Sequence, residues 1–233
     1  LKVEQRYRYL YKPVVFAACS VPAVLLALGT VGVVLQSSGS GAAAANALAS
    51  LLGPDPVAKL LHSCGKTALN LILITLLVTP VRQLTGVTHL VRLRRMLGLF
   101  AFFYASLHFI IYIVLDRGMD WHSVVTDITK RPYITIGFSA LLMLIPLAIT
   151  STNRMMRRLG RRWQKLHRLI YLIAIFGVWH YYWQVKRDVR LPLLYAFLLA
   201  LLLGYRLVKQ WQARRRLTAK PRGSPSLHPS TSD

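Results

Sequence analysis

The sequence predicts an all-α polytopic membrane protein, a bundle of six transmembrane helices with both termini on the cytoplasmic side. Three observations lead there. The chain has 233 residues, is 55% hydrophobic and carries only 16% charged residues, whereas soluble domains carry roughly 25%. Its apolar residues fall into six runs that can cross a bilayer, the shorter ones by recruiting an interfacial residue or two at their ends. Its 30 Lys and Arg residues sit in blocks between those runs, in alternate connections, as the positive-inside bias requires of an even number of spans.

The first run, residues 14–35, is too long for a signal-peptide core and shows no convincing cleavage site, so it is expected to be retained as a span. Residues 37–50, SSGSGAAAANALAS, and the following Gly53-Pro54-Asp55-Pro56 are small, flexible or helix-breaking and predict a surface loop on the outer side. The other spans are expected over residues 63–79, 96–115, 133–150, 167–184 and 191–208. The basic blocks set direction. Lys2, Arg6, Arg8 and Lys12 precede span one, and Arg82, Arg92, Arg94 and Arg95 lie between spans two and three. A run from Arg154 to Arg168 joins spans four and five, and a further basic segment follows span six. This divides the chain into a cytoplasmic arm (1–13), a membrane domain (14–208) and a basic tail (209–233) whose Pro/Ser-rich end from Pro221 reads as disordered.

A net charge of +23 would suggest nucleic acid on a soluble fold. Here the charge is parcelled between apolar runs and reads as topology, with the lipid bilayer as the partner and no nucleic acid. Cys19 and Cys64 form no CxxC or zinc spacing and read as packed thiols. The sequence contains no G-x-G-x-x-G after a strand and no strand–helix alternation, so it carries no nicotinamide-binding domain of its own.

Histidines carry the chemistry. A histidine at membrane depth is costly without a partner, and haem iron satisfies several at once. With spans three and five running outward, His108 and His180 fall at similar depth near the outer face, about 20 Å along the helix from the basic ends. That depth match suits a bis-imidazole haem, each ring approaching the iron from one face; two unconnected interhelical histidines are the alternative. His167, 13 residues before His180 at the inner end of span five, could ligate a second haem, contact a propionate or face the headgroups. On an ideal helix that spacing turns it about 140° away from His180. Arg94 and Arg95 read first as positive-inside charge, and secondarily as guanidinium partners for propionates or a flavin phosphate. His62 could cover the outer haem, His89 could approach His167, and His122 and His228 read as exposed.

The stretches GPDPVAKLLHSCGKTALNLILITLLVTPVRQLTG, VRLRRMLGLFAFFYASLHFIIYIVLD, ITKRPYITIGF and ITSTNRMMRRLGRRWQKLHRLIYLIAIFGVWHYYWQVK resemble the ferric-reductase-like transmembrane family. Within it they resemble the haem-binding membrane subunits of bacterial methionine sulfoxide reductase systems. The resemblance covers residues 53–208 and is most specific over 150–180. It implies that His108, His167 and His180 are the haem-linked histidines, with His108 and His180 the axial pair. It also implies electron transfer from membrane quinones through haem b, one or two, and a bound FMN. The recipient would be a periplasmic molybdopterin-containing catalytic partner that reduces methionine sulfoxide, and the location the bacterial inner membrane. Unlike the larger NADPH oxidases and ferric reductases, this sequence lacks an inner histidine on span three. The residues also admit a stand-alone ferric or quinone reductase with the same ligands. A haem or small-molecule transporter fits less well, because the spans are continuous and charge stays at their ends.

Overall fold

The computed structural model describes residues 11–38, 43–87, 90, 92–185 and 188–218. The start of the predicted cytoplasmic arm, the end of the tail, His89 and His228 lie outside the described residues.

Every regular element among the described residues is helical: α1 (Lys12–Ser37), α2 (Ala43–Ser50), α3 (Pro56–Thr85), α4 (Leu93–Ile111), α5 (Trp121–Lys130), α6 (Pro132–Ile149), α7 (Asn153–Leu159), α8 (Arg161–Leu166), α9 (Leu169–Gln184) and α10 (Arg190–Thr218). A π-helical turn, Tyr112–Asp116, extends α4. Five helices are long and apolar enough to cross a membrane: α1, α3, α4 with its π turn, α6, and α10 to Ala213. The chain is thus an all-helical, multi-span membrane protein. α9 has 16 residues, below the roughly 20 that a straight span needs.

α3 is the hub. It starts where Asp55 caps the amide of Ala58 at 3.0 Å ahead of Pro56 at the first turn. It ends at Gly86, whose φ of 73° supplies the left-handed cap. The result is 30 residues, longer at both ends than the apolar run. Leu60, Cys64, Ala68, Leu69, Ile72 and Leu76 are buried against the neighbouring helices.

Two sets of polar contacts tie the outlying helices onto the bundle, one through α4 and one through α3 itself. Tyr104 of α4 is fully buried, and its hydroxyl donates to the Cys19 carbonyl at 2.6 Å while accepting from the Ala23 amide at 3.0 Å. It inserts into one rung of the α1 ladder and fixes α1 on α4. On the other side, Pro80 inside α3 has no N–H, which leaves the Leu76 carbonyl without its helical donor. Arg206 of α10 supplies one: Nη2 donates to Leu76 O at 2.6 Å and to Thr79 Oγ1 at 3.1 Å, and Nη1 to the Tyr171 hydroxyl at 2.5 Å.

Two segments differ from expectation. Part of the predicted surface loop, Ala43–Ser50, is a short helix packed back on α1. Gly29 and Gly32 permit this, since a Cβ on Gly32 would stand 2.4 Å from the Ala49 amide nitrogen and one on Gly29 2.6 Å from Leu52 Cγ. Alanine's helix propensity then prevails over the surrounding Gly and Ser. The expected fifth span, 167–184, starts two residues late: α8 ends at Leu166, the chain turns at His167 and Arg168, and α9 then runs from Leu169 to Gln184. The Trp163 indole N–H donates to the Thr150 carbonyl at 3.0 Å and ties α8 beneath the end of α6.

Candidate haem site

α3, α4, α6 and α9 enclose a cavity of about 310 Å³ at the end of the bundle away from Arg94 and Arg95. That volume falls in the range of small-molecule sites, and its walls are predominantly apolar. His108 from α4 and His180 from α9 both reach into it. Their ring centres are 6.2 Å apart and their planes are inclined at 83°.

The protonation of both rings follows from their partners. His108 Nδ1–H donates to the Leu61 carbonyl at 2.9 Å, and His180 Nδ1–H donates to the Tyr133 carbonyl at 2.7 Å. A carbonyl only accepts, so in each neutral ring Nδ1 carries the proton and Nε2 keeps its lone pair. Two metal–nitrogen bonds of about 2 Å, plus about 1 Å from each nitrogen to its ring centre, amount to roughly 6 Å. The observed separation therefore suits two imidazoles sharing one metal, with the apolar walls left for a flat macrocycle. No cluster of three or more His, Cys, Asp or Glu side chains suited to a metal ion occurs among the described residues.

The rim of the cavity at this end of the bundle is polar. Lys66 and His62 line it from α3, with Lys66 Nζ 6.0 Å over the Tyr181 ring. Asp116 and Arg117 close it from the π turn. Buried Asp127 of α5 holds this lid together: it accepts from the Tyr112 hydroxyl at 2.8 Å and pairs with Arg117 at 2.7 Å and Arg131 at 2.9 Å. α5 itself begins at Asp120, which accepts from the His122 and Ser123 amides. The Ser123 hydroxyl on the same carboxyl holds Asp120 below the usual carboxylate range.

Of the residues singled out from the sequence, the structure brings His108 and His180 together and places His62 on the rim of their cavity. His167 is elsewhere, at the turn before α9. Its Nδ1–H donates to the Trp163 carbonyl at 3.1 Å, its ring stacks on Trp163 at 3.9 Å, and the Leu147 backbone of α6 lies beside the ring. Arg95 bonds the Asn153 side chain. Neither Arg94 nor Arg95 lines the cavity. Trp179 points out of the site, 44% exposed and packed edge-on to Trp183.

Sequence reasoning missed Lys66 and Arg117 as rim cations, and Gly65 and Gly137 as the ground on which the imidazoles rest. Lys66 was findable, one turn after His62 and near the predicted outer start of its span. The glycines carry no motif of their own.

The four-helix cavity with its facing histidines belongs to a known class of membrane proteins. Residues 64–178 match the family described as ferric reductase like transmembrane component, a stretch that holds His108 and stops just short of His180. The chain is 55% identical over 177 residues to the protein-methionine-sulfoxide reductase heme-binding subunit MsrQ of Xanthomonas campestris pv. campestris (strain 8004), covering 75% of this chain and 81% of that one. It is 53% identical over 177 residues, with the same coverage, to MsrQ of Xanthomonas oryzae pv. oryzae (strain MAFF 311018). To MsrQ of Ralstonia nicotianae it is 50% identical over 167 residues, 70% of this chain and 77% of that one. This chain belongs to the MsrQ family. No solved structure matches it.

Proposed function

We propose that the protein is the membrane electron-transfer subunit of a methionine sulfoxide reductase system in the bacterial inner membrane, holding haem b between His108 and His180. The observation that carries this reading is the pair of Nδ1-protonated histidines that line one apolar cavity with ring centres 6.2 Å apart. Haem supplies one-electron chemistry at such a site, and two axial histidines favour electron transfer over oxygen binding. The chain's own residues bind and orient: the Leu61 and Tyr133 carbonyls fix the imidazole tautomers, the apolar walls exclude water, and Lys66 on the rim would offer its ammonium to a haem carboxylate. Sulfoxide reduction itself belongs to the partner, a periplasmic molybdopterin-containing catalytic subunit, with membrane quinones as electron donors.

The inner end completes the reading. Six spans result if α9, with the turn at His167 and Arg168, crosses as the fifth. The arginine-rich ends of α3, α4, α7 and α8 then face the cytoplasm together with both termini, and the arm (1–13), membrane domain (14–208) and tail (209–233) keep the boundaries expected from the sequence. His167, Arg94 and Arg95 are assigned to a second cofactor environment there. A second haem or the phosphate of FMN would suit them, since guanidinium groups match such anions.

Reconstitution tests this. In proteoliposomes, a quinol should reduce the protein's haem, and the purified partner with methionine sulfoxide should reoxidise it. Reoxidation by a ferric chelate alone, and not by the partner, would instead establish the stand-alone reductase.

A further inference from the structure

The two cavity histidines are seated by the same device. His108 bonds the carbonyl of Leu61, and His180 that of Tyr133, in each case 47 residues earlier in the chain. Four residues after each carbonyl, on the same helix, stands a glycine: Gly65 follows Leu61 and Gly137 follows Tyr133. Side chains on an α-helix lean toward its N-terminus, so the Cβ at position i+4 overhangs the carbonyl of residue i. The missing Cβ is what lets each ring reach that carbonyl. A Cβ built on Gly65 would lie 3.1 Å from His108 Nδ1 and 3.2 Å from its Cε1. On Gly137 it would lie 2.7 Å from His180 Nδ1, 2.9 Å from Cε1 and 3.1 Å from Cγ. Glycine also costs helix stability, about 1 kcal/mol against alanine, at two positions inside α3 and α6 where no turn or positive φ requires it.

We propose that Gly65 and Gly137 are positioning residues: each uncovers one helix carbonyl that accepts Nδ1–H, and together they turn the two Nε2 atoms toward a shared metal. This builds on the haem assignment above but concerns the seats, not the ligands. Hydrogen bonding of Nδ1–H to a carbonyl fixes the tautomer and raises the basicity of the ligating nitrogen, and loss of such a partner lowers metal affinity by about 10- to 100-fold. The two seats differ in tightness. At Gly137 the nearest ring atom lies where a Cβ cannot sit without displacement, whereas at Gly65 a shift of a few tenths of an ångström suffices.

The test uses the full chain in detergent with Gly65→Ala, Gly137→Ala and, as a control, Gly98→Ala on α4, whose added Cβ meets nothing within 4 Å. Holoprotein is read by haem-to-protein ratio and by the electron paramagnetic resonance g-values of the low-spin iron. Haem-free protein is read by ¹⁵N chemical shifts of the histidine rings, which report the tautomer without any ligand. Expected are Nδ1–H tautomers for His108 and His180 in the unaltered chain, about 10-fold or greater loss of haem affinity in Gly137→Ala, shifted g-values with haem retained in Gly65→Ala, and no change in Gly98→Ala. Should Gly137→Ala fail to fold, Gly65→Ala and the tautomer measurement decide alone. Nε2–H tautomers in the unaltered chain, or g-values and affinity in Gly65→Ala matching the control, would overturn the proposal. A protein that shows the Nδ1–H tautomers but takes up no haem would leave the seats standing and refute the haem assignment instead.

Discussion

Arg206→Met removes the guanidinium while keeping an apolar stem of similar reach, and its cost can be worked from three contacts. The substitution deletes the hydrogen bonds to Leu76 O, Thr79 Oγ1 and Tyr171 Oη. Thr79 and Tyr171 can turn to other partners. The Leu76 carbonyl cannot, because Pro80 occupies the position from which its helical donor would come. Leaving a buried acceptor unmet costs about 1–3 kcal/mol, but hydrogen bonds measured within membrane proteins average nearer 0.6 kcal/mol, with a maximum of about 1.7. A charged donor at 2.6 Å belongs toward the upper end, so Arg206→Met should destabilise by about 1–2 kcal/mol. Pro80→Ala restores an N–H to that carbonyl. In the Arg206→Met background it should recover about 1 kcal/mol, and beside an intact Arg206 distinctly less, so the two substitutions couple. Reversible unfolding in mixed detergent micelles, run as a double-mutant cycle, measures this. Equal effects of Pro80→Ala in both backgrounds would refute the reasoning.

Tyr104→Phe leaves the ring in its buried place but empties the rung it fills in α1. We expect a loss of about 1 kcal/mol by the same assay and faster proteolysis of α1 in the folded protein. Asp127→Ala leaves Arg117 and Arg131 without their shared carboxylate. Breaking a buried pair costs about 3–5 kcal/mol, but Arg117 and Arg131 are 26% and 46% exposed, so roughly 1–2 kcal/mol is expected, with the lid over the cavity opening to protease between Tyr112 and Arg131. Gly32→Ala drives a methyl group into the α2 backbone and should cost about 1–3 kcal/mol by overpacking, seen as a lowered unfolding midpoint. The same change at Gly98, inside α4 with open space around the new methyl group, should instead stabilise by about 0.5–1 kcal/mol through helix propensity.

Much of the architecture was legible because membrane helices are written in composition. Long apolar runs broken by arginine blocks marked the helices, and the equal depth of His108 and His180 marked the pair that the cavity joins. What escaped was whatever depends on the absence of a group. Gly65, Gly137, Gly29 and Gly32 act by leaving space, and a missing Cβ has no periodicity to read. Arg206 shows a second blind spot: as one residue in a basic block it read as topology, and only the placement of Pro80 on the facing helix gives it a specific carbonyl to satisfy. The turn at His167 and Arg168 falls where the basic stretch RRWQKLHR gives way to the apolar run of α9, so the sequence marked its place but not the contact beside it, the Trp163 indole meeting the end of α6 13 positions away.

The most direct test of the central assignment is the absorption spectrum and haem-to-protein ratio of the purified protein in detergent, with His108→Ala, His180→Ala and His167→Ala measured beside it. The account predicts a low-spin haem b spectrum that is lost or converted to high spin in His108→Ala and His180→Ala, while His167→Ala leaves the signal of that site intact and changes at most the stoichiometry. An iron-free protein purified with haem available, or a low-spin spectrum that survives both the His108 and the His180 substitutions, would contradict it.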